Sequence, residues 1–269
     1  MNKSIFFGFL AGLLSAFLSS AWAQVAEEVI TLPSRDGVRI AYLLTQMSGV
    51  APKSVFVLLS GGDGGHRLSQ RGSVVHLFND ARFPARSRVL FATNDAVAAL
   101  VDAPSDRDGL SDRFRASAAH LHDLSVVLAD LRQRYPGVPV TVVGHSNGTL
   151  SAASLATTLQ VGDRVVLMGG RLVAHWFGGE GLARFDFGQI RVPLLLVHHR
   201  HDDCTVTPYS GALALAERYP LITVDGPMGG ERGACTSEGM HGLSGRDRPV
   251  VEAVRAWVQG QAWPREIGD

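Results

Sequence analysis

Lysine is almost missing from this chain: of 25 basic residues only Lys3 and Lys53 are lysines, and the rest are arginines. Net charge is missing too, since 25 acidic residues balance the basic ones. A balanced chain carries no electrostatic footprint for nucleic acid and has no strong pull towards anionic lipid. Cysteine is scarce, with Cys204 and Cys235 the only pair. No internal repeat, low-complexity block or Pro/Gly/Ser-rich linker interrupts the sequence, so nothing divides it into several folded units. After the first 23 residues no apolar stretch is long and pure enough to span a bilayer. What the chain does have is bulk: 269 residues, 46% of them apolar and 19% charged. That is enough to build a sizeable core and excludes wholesale disorder.

Residues 1–23 read as a secretory signal peptide. Lys3 makes the opening positive, Ile5 to Leu18 is an uncharged apolar run, and Ala21-Trp22-Ala23 is an A-x-A cleavage site. The run is short for a membrane anchor, which needs about 20 apolar residues. The expected mature chain is therefore 24–269, periplasmic or secreted, with no stable membrane association. In an oxidising compartment Cys204 and Cys235 are expected to form one disulfide.

Strands and helices alternate along the mature chain. Glu28 to Leu32 and Val38 to Thr45, separated by Arg35-Asp36-Gly37, read as a hairpin. Ser54 to Ser60 is a nearly pure apolar run, which suits a strand covered on both faces. Val97 to Val101, Val138 to Val143, Arg164 to Met168, Val192 to Val197 and Leu221 to Val224 are the further strands expected. Helices are expected over Arg82 to Thr93, Arg113 to Tyr135, Asn147 to Leu159 and Pro208 to Arg218, with a last one that has Pro249 in its first turn. This alternation predicts an α/β class protein, a mostly parallel sheet with helices on both faces and the loops after its strands along one edge.

Gly144-His145-Ser146-Asn147-Gly148 is G-x-S-x-G, and it stands between an apolar strand and a small-residue helix. A serine on such a turn has a strained backbone that lifts its hydroxyl above the sheet edge, and the glycines leave room for close neighbours. In this context the chain resembles the α/β-hydrolase superfamily over essentially its whole mature length. The resemblance implies an α/β-hydrolase fold with a minimal cap, because only Gly169 to Arg191 separates the two strands that often enclose one. It also implies a nucleophile, acid and histidine in that chain order. Ser146 is the implied nucleophile. Asp202 stands in His198-His199-Arg200-His201-Asp202, where members carry H-G-x-x-D, and is preferred over Asp203 as the acid. His241, in Gly239-Met240-His241-Gly242, is the only histidine after Asp202; it is the implied base, on a loop expected to be exposed. His145 is expected to pack beneath the turn.

Two backbone N–H groups should hold the oxyanion. Asn147, following the nucleophile, supplies one; Gly62 is preferred for the other, with Asp63 as rival. Many members have His-Gly where this chain has Ser60-Gly61. With Cys204 two residues past the acid and Cys235 six before the histidine, the disulfide would tether the acid loop to the histidine loop. The implied activity is that of an exported serine hydrolase, a carboxylesterase above all, acting on a small-molecule or polymeric ester as a monomer without a cofactor. Amidase, peptidase or acyltransferase chemistry on the same triad, and a binding protein retaining the fold, are the alternatives. The His198, His199, His201, Asp202 and Asp203 cluster matches no helix-based metal spacing, and Gly61 to Gly65 lacks the Lys-Ser/Thr of a phosphate loop. Trp176 and Phe177 are candidates for the substrate pocket, and Asp102 to Asp112 for one of its walls.

Overall fold

The computed structural model describes residues 24–49, 51–226 and 233–268. The expected signal peptide lies outside the described residues. The chain opens with an antiparallel hairpin of β1 (Val25–Pro33) and β2 (Arg39–Met47), turned where Gly37 adopts a φ of +66°. Then come β3 (Ser54–Leu59), a short hairpin of β4 (Ser69–Arg71) and β5 (Val74–His76), α1 (Phe83–Phe91) and β6 (Ala96–Val101). Helices α2 (Asp112–Arg115) and α3 (Ala118–Arg134) precede β7 (Val140–His145), α4 (Gly148–Ala156) and β8 (Arg164–Met168). The chain continues through a 3-10 turn at Phe187–Gln189, β9 (Leu194–His199), α5 (Tyr209–Ala216), β10 (Leu221–Val224), α6 (Asp247–Val258) and β11 (Glu266–Ile267).

Nine strands form one sheet in the order β1-β2-β6-β3-β7-β8-β9-β10-β11, parallel from β6 onwards. The unbroken apolar runs are the reason. All six residues of β3 are buried, with Val55 and Val57 in the core layer of α3 and α4 and Phe56 and Leu58 in that of α1 and α6. Each such side chain stabilises the fold by roughly 1.5–3 kcal/mol over an exposed one. From β3 the chain crosses to β6 on one side, and β7 lies on the other. The strand order reverses between β3 and β7, and in open α/β sheets such a reversal opens a crevice beyond the strand ends. The loops carrying Gly61-Gly62 and Ser146 leave those two ends.

The elements depart from expectation in several places. The helix expected over Arg113 to Tyr135 is broken: the Ser117 side chain accepts from the His120 N–H and starts a new helix after α2. The strands expected over Val138 to Val143 and Val192 to Val197 begin and end two residues later. Pro139 and Pro193 contribute only their carbonyls, to Val55 and Val165, because proline has no N–H for the ladder. The β4–β5 hairpin and β11 were not expected; both are too short for a periodic pattern.

Candidate active site

Ser146 closes β7 and adopts a φ of +54°, rare for a residue with a side chain. Its N–H donates to the Met168 carbonyl at 2.9 Å. The flanking glycines make the turn possible. A Cβ on Gly144 would lie 2.6 Å from that of Ala152, and one on Gly148 2.1 Å from the Leu59 carbonyl oxygen. Gly61 is as tight: its Cβ would sit 2.6 Å from Ser146 Cβ. The turn at Ser146 and the loop after β3 are thus in contact because Gly61 carries no side chain.

Asp202 and His241 meet. His241 Nδ1–H donates to Asp202 Oδ2 at 3.0 Å, so the tautomer leaves Nε2 unprotonated. The Asp202 side chain is 1% exposed and is held from several sides. The Cys204 N–H donates to its Oδ1 at 3.0 Å, and the Thr207 hydroxyl to its Oδ2 at 3.1 Å. His198 Nε2–H donates to Oδ2 at 3.2 Å and to the Thr207 carbonyl at 2.8 Å. Burial alone would raise the Asp202 carboxyl; the bonds from His198 and His241 outweigh it and hold it well below the usual carboxylate range. Asp203, by contrast, is exposed.

The His241 loop is not exposed as expected. His241 is 3% exposed, and Gly242 packs so that a Cβ would lie 2.2 Å from the Ser237 carbonyl oxygen. Arg86 of α1 clamps this loop, donating to the Ser237 and Gly242 carbonyls at 2.9 and 2.6 Å and to Asp247 at 2.7 Å. His145 lies beneath: its Nε2–H donates to the His241 carbonyl at 2.9 Å. Burial, then the neighbouring His241 ring, pushes His145 down to about 3, so it stays neutral.

Ser146 and His241 line one cavity of about 350 Å³, together with Gly61, Gly62, Arg82 and Ser237. Among the described residues the Ser146 hydroxyl is not hydrogen-bonded to His241; such contacts are often long without substrate and tighten when it binds. Nor do the Gly62 and Asn147 N–H groups enter the hydrogen bonding of the described residues. The Gly62 carbonyl is fully occupied instead, accepting from Arg115 at 3.1 Å and from the Asn147 side chain at 3.2 Å. Arg171 holds Asn147 in turn, donating to its Oδ1 at 2.9 Å. Ser60, just before Gly61, is buried and hydrogen-bonded to His66 Nε2 at 2.8 Å. Asp63 is turned to Arg82, at 2.7 Å.

Cys204 and Cys235 are joined, and Cys235 lines the cavity. Asp202, Cys204 and His241 put a carboxylate oxygen, a sulfur and a ring nitrogen within 4.8 Å of one another. The sulfur is spent in the disulfide, and the other two atoms are bonded to each other. His199 turns away to the Gly226 carbonyl, and His201 is exposed beside Asp225. Trp176 and Phe177 do not line this cavity; they stand 90% and 62% exposed on the loop after β8. The Asp102 to Asp112 loop is not part of its wall either, since Asp106 pairs with Arg35 of the first hairpin at 2.9 Å. Thr207, Arg86, Arg115 and Arg171 carry no motif, and the sequence offers no signal for them beyond their being polar.

The fold is that of the α/β hydrolases. No protein-family model matches the chain. A lidless α/β serine hydrolase from Xanthomonas campestris is similar in structure, at a TM-score of 0.60 and 13% identity, over 89% of this chain and 97% of the other. The esterase domain of a Rhodothermus marinus protein aligns at a TM-score of 0.57 and 18% identity, over 87% of this chain and 98% of the other. A Pyrococcus furiosus esterase aligns at 0.58 and 14%, over 88% and 93%. In sequence, the spectinabilin polyketide synthase system protein NorA' of Streptomyces orinoci is 39% identical over 84 residues. That match takes in 30% of this chain, which spans about 2% of the relative's length.

Proposed function

We propose that this protein is an exported serine hydrolase whose first activity is carboxylic ester hydrolysis. The observation that carries the reading is the meeting, at one cavity, of a serine forced to a φ of +54° and a buried histidine whose Nδ1 is bonded to a carboxylate. The esterases and serine hydrolases of the same fold support it.

In this reading Ser146 Oγ attacks the acyl carbonyl while His241 Nε2 takes its proton. Asp202 fixes the tautomer and stabilises the imidazolium that forms. The carbonyl oxygen becomes an oxyanion held by the Gly62 and Asn147 N–H groups. Collapse breaks the bond to the leaving alkoxide, which receives the proton from His241. Water, deprotonated by the same nitrogen, then releases the acid and restores Ser146. Among the described residues no helix is long and apolar enough to cross a membrane. That fact and the disulfide accord with export.

The test is hydrolysis of 4-nitrophenyl acetate by purified protein. Wild-type turnover should fall by at least about 10³-fold in Ser146→Ala, the scale on which triad members act. Equal turnover by the two proteins overturns the mechanism.

A further inference from the structure

Resting on the hydrolase reading, we infer that the Ser146 cavity takes esters that bear a carboxylate, bound by Arg82. The cavity wall offers little to a long acyl chain. Beside Ser146 and the two histidines it is made of Gly61, Gly62, Asn79, Ala81, Thr236 and Ser237, with Arg82 and Cys235. Among the described residues Ala81 is the one purely hydrocarbon side chain there, so an added methylene finds little apolar surface among them to cover it.

Among the described residues Arg82 is the charged group of this wall. Its side chain is 18% exposed, and Nη1 donates to Asp63 Oδ1 at 2.7 Å. The flat face of the guanidinium lies over Gly62: a Cβ there would lie 3.1 Å from Nη2, 3.2 Å from Cζ and 3.5 Å from Nε. Among the described residues neither of those nitrogens meets a hydrogen-bond acceptor. One salt bridge thus fixes the fork and leaves its second edge free, beside the loop that carries the Gly62 N–H. Two parallel N–H donors match the geometry of a carboxylate.

The charges around this end add up in the same direction. Asp63 is 51% exposed, so water and salt screen it. Behind Gly62 lies Arg115, 1% exposed, whose guanidinium donates to the Ser60 and Gly62 carbonyls and to Ser151 Oγ, none of them charged. Two guanidinium groups therefore flank Gly62 against one carboxylate. Among the described residues near the cavity, Arg86 is paired with Asp247, and Asp202 with the donors from His198 and His241. An anionic substrate group restores the balance that the protein leaves open.

The test compares two methyl esters of nearly one shape, monomethyl succinate and methyl butanoate, by methanol release at neutral pH. Wild-type kcat/KM should favour the succinate by about tenfold or more, the scale of hydrogen bonds to a charged group. Added salt should shrink the preference. Arg82→Gln should bring the ratio near one, with the loss carried by KM. If that variant does not fold, Asp63→Asn tests the same idea in reverse, since removing the like charge should widen the preference. A wild-type enzyme that turns over 4-nitrophenyl acetate yet does not prefer the succinate overturns this inference alone. A preference that survives Arg82→Gln does the same. A protein inactive on every ester takes the hydrolase reading down with it.

Discussion

Thr207 shows what a single residue contributes where no motif announces it. Its hydroxyl donates to Asp202 Oδ2 and lies 3.0 Å from His241 Nδ1, and its carbonyl accepts a hydrogen bond from His198 Nε2–H. Removing the hydroxyl while keeping the shape, in Thr207→Val, leaves buried polar atoms short of a partner, which costs about 1–3 kcal/mol. The expected outcome is a Tm several degrees lower and a kcat reduced by about tenfold with KM little changed; a variant matching wild type in both would contradict the role. Ser146, Asp202 and His241 could be picked out as candidates because each sits in a chain-order pattern with distinctive neighbours, and the structure brings Asp202 to His241 and His241 to the Ser146 cavity. Thr207, Arg115 and Arg171 were not, because their significance is entirely in what they touch, and threonine and arginine are common everywhere.

At the scale of elements, the strands were the readable part. Ser54 to Leu59 and Arg164 to Met168 are apolar runs with one plausible use, and both are strands in the structure. The α2–α3 break was not readable from periodicity, since Phe114 and Leu121 continue one apolar pattern across it and the Ser117 side chain caps a new helix there. Loops carry the site, and their tethers decide its geometry. The disulfide joins the loop after β9 to the one before α6, across 31 residues of sequence. Cys204 also holds Asp202 through its N–H. Chain-entropy arguments give the bridge roughly 3–4 kcal/mol, or about 10 °C in Tm for a domain of this size. Reduction should therefore lower Tm, and, at temperatures where the chain is still folded, should lower kcat, because small misplacements of acid and base cost rate. Full activity in the reduced, folded protein would make the bridge a matter of stability alone.

The whole molecule is a sheet with two apolar layers and an unusual number of buried histidines. His145 is pushed down to about 3 by burial and by His241, and His120 to about 4 by burial and by Arg115. In the unfolded chain both titrate near pH 6.5. Below that value the unfolded state binds protons that the folded state refuses, so stability falls as pH falls, by up to about 2–3 kcal/mol per pH unit while both are involved. Asp202, depressed when folded, adds its own loss once pH drops below the ordinary carboxylate range. A Tm measured between pH 8 and 4 should hold above about 6.5 and decline steadily beneath it; a flat profile would contradict the burial of neutral histidines.

In the hydrolase reading Ser146 is an activated nucleophile, and one measurement tests this without knowing the substrate. Purified protein with its disulfide intact is titrated with a fluorophosphonate, and the adduct is located by peptide mass spectrometry. One adduct per chain is expected, on Ser146, formed far more slowly in His241→Ala. A folded, oxidised protein that stays unlabelled, or labels elsewhere, would contradict it.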